Sequence, residues 1–290
     1  MVAWVKKHIN QSNMSKIYVF IISILCCSYS FSQEVPTPAT AQNKKVVIFG
    51  GIVHTGNGNV IDNGIVEFDK GLITKIQPLS SSIDTQNAIV VHAQGKHIYP
   101  GLIALNTELG LVEVEAVRAT RDVNEVGEYN PNVRSIIAYS ADSKIIPTVR
   151  SNGILSAQVV PRGGIISGTS SLVQLDAWNW EDALIFESGI HVQWPNKYSY
   201  SGWWAEPGSY SENKNYAKQV SELKDFLLQS KAYSKIENHT VKNLRFEAMK
   251  KIWNQNDRLY ISANNAKEIL DVLALKDELK CNIVLMGPIS

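Results

Sequence analysis

In the segment IYPGLIALNTELG, Ile98 to Gly110, a Pro-Gly turn leads into an apolar strand that ends in alternating polar residues. Asn106 and Glu108 are two positions apart, so on an extended strand they share a side. A barrel enzyme often presents its metal ligands in this way. Glu108 is a carboxylate suited to a hard cation, to a base or to a structural ion pair. Asn106 adds an amide oxygen, a poor ligand for zinc-like metals, which favour imidazole. No histidine stands in the segment.

Other polar groups cluster further along. The stretch EAVRATRDVNEVGEYN places Arg118, Arg121, Asp122, Asn124, Glu125 and Glu128 in one loop directly after that strand. Arg118 or Arg121 could grip a substrate carboxylate with two parallel hydrogen bonds. The alternative is a salt-bridge network that pins the loop. Ser262, near the end of the strand RLYISA, and Asn264, just after it, are further substrate-binding candidates. PRGGIISGTSS is glycine-rich but lacks both the Gly-Lys-Ser/Thr and the GxGxxG patterns, so it reads as a loop shaping a barrel mouth and not as a phosphate cradle. Trp194, Tyr198, Tyr200, Trp203 and Trp204 form an aromatic cluster, expected to bury its rings on the barrel exterior. His54, His92, His97, His191 and His239 make no HxH or HExxH pair and read as ordinary core or surface histidines. No GxSxG nucleophile elbow is present.

The elements that must position these groups change in character along the chain. Lys44 to Pro100 reads as short β-branched strands with turns at Asp69-Lys70-Gly71 and Gln94-Gly95, a small sheet or sandwich. From Gly101 onward strands alternate with helices. ILSAQVV and SLVQLDA read as strands, and Asn213–Ile236 and Leu244–Gln255 as helices. The last unit is βαβ: RLYISA, a helix capped by Asn265 with Glu268 at the capping-box position, then CNIVLM. Ala266, Ile269, Leu270 and Leu273 are the expected buried face of that helix.

Of the 290 residues, 44% are hydrophobic and 19% charged, a globular composition. A formal net charge of +1 gives no electrostatic case for nucleic acid or an anionic membrane surface. The expected partner is a small-molecule substrate, with a homo-oligomer left open. Residues 1–33 read as a signal peptide: lysines precede the apolar run Ile17–Cys27, which is shorter than the roughly 20 residues that span a bilayer. Cleavage near Ser32 or Gln33 would leave an exported, periplasmic or extracellular chain off the membrane, with a Pro/Thr/Ala linker at 34–43. Only Cys281 would remain, so no internal disulfide is expected.

KHIYPGLIALNTELG resembles the barrel-entry segment of the amidohydrolase superfamily, whose usual pattern is PGLID-x-H-x-H-x-G. The segments VEAVRATRDVNEVGEYNPNVRS and SNGILSAQVVPRGGIISGTSSLVQLDAWNWEDAL are similar to an exported branch related to imidazolonepropionases. The resemblance covers about Lys44 to Met286. It implies an α/β fold: a TIM-type (β/α)8 barrel after a small β-sandwich, with the site at the C-terminal ends of the strands. It also implies a divalent, zinc-like metal that activates water to hydrolyse carbon–nitrogen bonds of cyclic amide-like molecules. The family's first-strand Asp and two His fall on Ala104, Asn106 and Glu108, and later ligands on Ser262 and near Gly287. At best weak metal binding is therefore expected, and the rival reading is a non-catalytic barrel that binds a ligand or partner. Residues 101–290 reach roughly the sixth strand, so the barrel is expected to be incomplete, as in a truncated chain.

Overall fold

The computed structural model describes residues 37–79 and 83–287. The expected signal peptide lies outside the described residues. Among the described residues no helix is long and apolar enough to cross a membrane.

The first strands arise as their turns predict. β1 (Val46–His54), β2 (Val60–Asp69) and β3 (Leu72–Pro78) pair antiparallel in succession. Lys70 and Gly71, at φ 50° and 76°, form the turn between β2 and β3. This left-handed pair matches the twist of a tight hairpin. Gln94-Gly95 behaves differently from the expected turn. β4 (Ile89–His92) and β5 (His97–Ile98) both pair parallel with β1, one after the other along its length. The chain thus bends at Gly95 without reversing. These residues make one five-stranded sheet.

The second sheet carries the site. Its six strands are β6 (Leu102–Thr107), β7 (Ile154–Val159), β8 (Ile166–Gln174), β9 (Leu184–Gln193), β12 (Leu259–Ser262) and β13 (Ile283–Met286). They lie in the order β13-β12-β9-β8-β7-β6, curled as a half-barrel. Between β9 and β12 a hairpin of β10 (Tyr198–Tyr200) and β11 (Tyr210–Glu212) projects. All pairings in the six-stranded sheet are parallel except those of β8, which runs antiparallel to both neighbours. A regular (β/α)8 pattern does not contain such a strand.

β8 also begins earlier than the sequence suggests, because the glycine and hydroxyl residues of ISGTSS belong to the strand and not to a loop. The segment 129–135 packs directly against it, bridging Tyr129 to Ile166 and Arg134 to Thr169. A side chain on Gly168 would start 2.6 Å from the Val133 carbonyl oxygen. Thr169 donates to the Pro131 carbonyl, and Ser135 donates to the Val159 carbonyl while its Oγ lies 3.0 Å from the Ser171 hydroxyl. Small polar residues are here the condition for close backbone packing, not a sign of loop.

Two apolar cores lie on the sheet's outer side. One joins β9 and β12 to α2 (Tyr216–Ser234), α3 (Leu244–Trp253) and α4 (Ala266–Leu279) through Ile190, Leu223, Met249, Ile261 and Val272. The other joins β7 and β8 to α1 (Ile145–Ser151) through Ala157, Val159, Val173 and Ile146. Residues 130–153 carry mixed helical spacing that ends at Gly153, yet they form only α1 and a short 3-10 turn, Ser135–Ala138.

α4 starts as expected, with the Asn265 side chain accepting from the Glu268 N–H. Its buried stripe is Val272, Leu275 and Leu279, while Leu270 and Leu273 are 62% and 45% exposed. Both stripes are apolar, and sheet packing selects one of them. The aromatic cluster departs from expectation too. Trp194 is buried, but Tyr198, Tyr200, Trp203 and Trp204 stand exposed on and around the β10–β11 hairpin, Trp204 at 92%.

Candidate active site at the strand ends

The C-terminal ends of the parallel strands bring together residues far apart in sequence. β6 delivers Asn106 and, just beyond it, Glu108. The loop after β7 delivers Arg162, while Ser262 ends β12, separated from β7 by β8 and β9. β6 is not regular there. Asn106 takes φ 54°, and the register with β7 shifts between Ala104 and Thr107. Asparagine tolerates this left-handed conformation better than most residues. The twist turns its backbone carbonyl and its side-chain oxygen toward one point.

Arg162 fills that point. Its Nη1 donates to Asn106 Oδ1 at 2.7 Å, its Nη2 to the Asn106 carbonyl at 2.9 Å, and its Nε to Glu108 Oε1 at 2.8 Å. Three of the five guanidinium N–H groups are thus spent on the two residues that the sequence singles out. The loop holding Arg162 is tightly made. Gly163 and Gly164 sit at φ 81° and 63°, and a side chain on Gly164 would begin 2.8 Å from the Gly127 carbonyl. On its other side Glu108 borders a largely apolar cleft of about 470 Å³ with Ala104, Val112 and Ile154. That volume lies in the range of small-molecule pockets.

The face of the sheet turned away from the helices is polar near this mouth. The Asn106 N–H meets Gln158 Oε1 at 3.4 Å, and Gln158 donates to Ser170 Oγ at 3.2 Å. Ser170 donates to the Ser188 carbonyl, and Ser188 Oγ lies 3.1 Å from the Tyr260 hydroxyl. Tyr260 stacks on His191, centroids 4.7 Å apart and planes within 8°. His191 is fully buried, and neither ring nitrogen has a hydrogen-bond partner among the described residues. Burial, helped by repulsion from Arg162, lowers its pKa to about 3, so the ring is neutral at pH 7. A neutral imidazole leaves one donor and one acceptor unmet.

The remaining sequence candidates are placed as follows. Arg121 pairs with Glu115 at 3.3 Å on the surface, and Arg118 lies exposed in the 3-10 turn Arg118–Thr120. Ser262 ends β12 opposite Gln193. Asn264 gives its backbone N–H to Glu268 Oε2 and its amide to Asn196 Oδ1, joining the network that caps α4. The structure therefore brings Asn106 and Glu108 together and keeps Arg118, Arg121 and Asn264 out of that cluster. Arg162 and His191 were not singled out from the sequence as functional. Arg162 had a readable signal, a charged residue at the end of a buried strand, fixed by two glycines. His191 had one too, a polar residue between Ile190 and Val192.

No family model matches the sequence, and no curated protein matches it. Solved structures do match the fold. An amidohydrolase from Thermotoga maritima MSB8 aligns at TM-score 0.69 and 17% identity, over 83% of this chain and 63% of that one. The fold is amidohydrolase-like. This chain spans less than two-thirds of that protein's length. A prolidase complexed with N-methylphosphonate-L-proline aligns at TM-score 0.38 and 13% identity, over 80% of this chain and 59% of that one, too distant to weigh.

The resemblance to amidohydrolases implies a metal at this mouth, and the donor set does not fit one. The oxygens of Asn106 and Glu108 are already engaged by a guanidinium. Ser262 offers only an alcohol, and no group of three or more His, Cys, Asp or Glu side chains among the described residues is placed to hold a metal ion.

Proposed function

We propose that this chain is an amidohydrolase-type hydrolase acting on carbon–nitrogen bonds of small, neutral, cyclic amide-like molecules. One observation carries the reading. Glu108, at the strand-end position that such barrels use for chemistry, faces both a cationic group and an apolar cleft of ligand size. Arg162 keeps two N–H groups beyond those it gives to Asn106 and Glu108, enough to hold a substrate carbonyl oxygen as negative charge develops on it. Glu108 is the base for an attacking water, and the cleft excludes bulk solvent from the apolar part of the substrate. The Arg162–Glu108 pair is neutral in sum, and Glu113 and Glu115 also line the cleft, which disfavours an anionic substrate. An exported location belongs to the same proposal and rests on the lysine-led apolar run Ile17–Cys27.

A panel of lactams, cyclic imides and ureides incubated with purified protein tests this. Turnover that falls about 100-fold or more in Glu108→Gln is the expected result. The same three-point grip of Arg162 also favours a second reading, a barrel that binds such a ligand without turning it over. Saturable binding with no hydrolysis of any panel member would establish that reading and remove the first.

A further inference from the structure

We infer that Arg162 is the resident cation of this mouth, and that its guanidinium shuts a divalent metal out of the Asn106–Glu108 position. Three features support this, none of them dependent on catalysis. The guanidinium satisfies both residues at once, with contacts of 2.7 to 2.9 Å to two side-chain oxygens and one carbonyl. The backbone on both sides is shaped for it: Asn106 is left-handed, and Arg162 is followed by two left-handed glycines whose neighbours leave no room for side chains. The charge is matched, one guanidinium to one carboxylate. A metal ion taking these oxygens would bring two positive charges beside a guanidinium stripped of its partners, in a site where Arg162 has little exposure to solvent. The fully buried His191 lies within the electrostatic reach of Arg162, and among the described residues its ring nitrogens have no hydrogen-bond partner. This imidazole is therefore held in the field of a fixed positive charge, an arrangement that disfavours a metal there as well.

The consequence is specific. Restoring histidines at the strand end is not enough to restore a metal site, because the guanidinium still occupies it. Zinc and nickel titrations of wild type, of Asn106→His with Glu108→His, and of that pair combined with Arg162→Met read this directly. The expected result is no stoichiometric site in wild type, weak binding in the double variant, and affinity at least 100-fold tighter in the triple variant. A double variant that binds as tightly as the triple overturns the inference, and so does wild type that holds one equivalent. If the triple variant fails to fold, the wild type still decides the question. Its Arg162 Nε–H resonance should not move on addition of one equivalent of zinc, and a shift or loss of that resonance overturns the inference. Failure here leaves the hydrolase reading standing, because amide turnover is not measured in either arm.

Discussion

Arg162 donates its Nε–H to Glu108 at 2.8 Å, linking the loop after one strand to the end of its neighbour across 54 residues of sequence. Both side chains are partly shielded, at 22% and 36% exposure. Removing the guanidinium leaves a carboxylate, an amide oxygen and a left-handed carbonyl without their donor. Arg162→Met should destabilise the fold by about 1–3 kcal/mol, the range for hydrogen bonds to charged groups. Arg162→Lys should recover only part of this, since an ammonium cannot reproduce the planar fork. Urea unfolding of the three proteins at pH 7.5 checks the order.

His191 makes stability depend on pH. Its pKa is about 3 in the folded chain and near 6.5 when unfolded, so between these values the unfolded state binds the extra proton. The folded state then loses stability as pH falls from 6.5 toward 3, by up to about 5 kcal/mol at the acid end. Above pH 6.5 the ring is neutral in both states and the effect vanishes. His191→Leu should flatten the acid limb. It should also raise stability at pH 7.5 by about 1 kcal/mol or more, because two unpaired buried nitrogens are removed. Denaturation midpoints at pH 5 and pH 7.5 separate the two effects.

Much of this fold is legible in the sequence, and the parts that are not share a cause. The terminal βαβ unit follows from local signals: an apolar run, Asn265 with Glu268, and a second apolar run. The hairpin at Lys70-Gly71 follows from turn chemistry. β8 escaped because its Gly, Ser and Thr content is dictated by the segment packed on it, a tertiary demand that local propensity does not register. The stripe on α4 escaped for a similar reason, since two apolar faces compete and only the sheet decides between Leu273 and Leu275. At the site, Asn106 and Glu108 were legible from alternation alone. Arg162 was not, because its meaning depends on where a glycine-shaped loop returns.

Glu268 ties the mouth to α4. It is 1% exposed and accepts from the Lys197 and Asn264 backbone N–H groups and from the Asn265 amide. Glu268→Ala should cost about 2–4 kcal/mol, as these donors lose a buried partner and the capping side chain of Asn265 loses the contact that holds its amide. Hydrogen exchange should show the loss first at residues 196–197 and 264–265, ahead of the α3 core around Met249.

Tyr216 bridges two elements behind the mouth. It accepts from Trp194 Nε1 at 3.0 Å and donates to Asp271 Oδ2 at 2.6 Å. Burial, reinforced by the hydrogen bond to Asp271, raises its pKa to about 12. Its phenolate absorbance should therefore be missing from a titration to pH 10.5 and appear only in more alkaline solution. Tyr139, which burial also pushes up to about 12, shares that late component, so Tyr216→Phe should reduce it without abolishing it and cost about 1–2 kcal/mol.

The most direct test is to assay the cyclic-amide panel after exhaustive treatment with a chelator, with Arg162→Gln run beside wild type. Hydrolysis by wild type that survives the chelator and falls at least 100-fold in Arg162→Gln is the predicted result. Hydrolysis that is abolished by the chelator and restored by zinc would contradict the account, because a metal and not the guanidinium would then be the cation of the site.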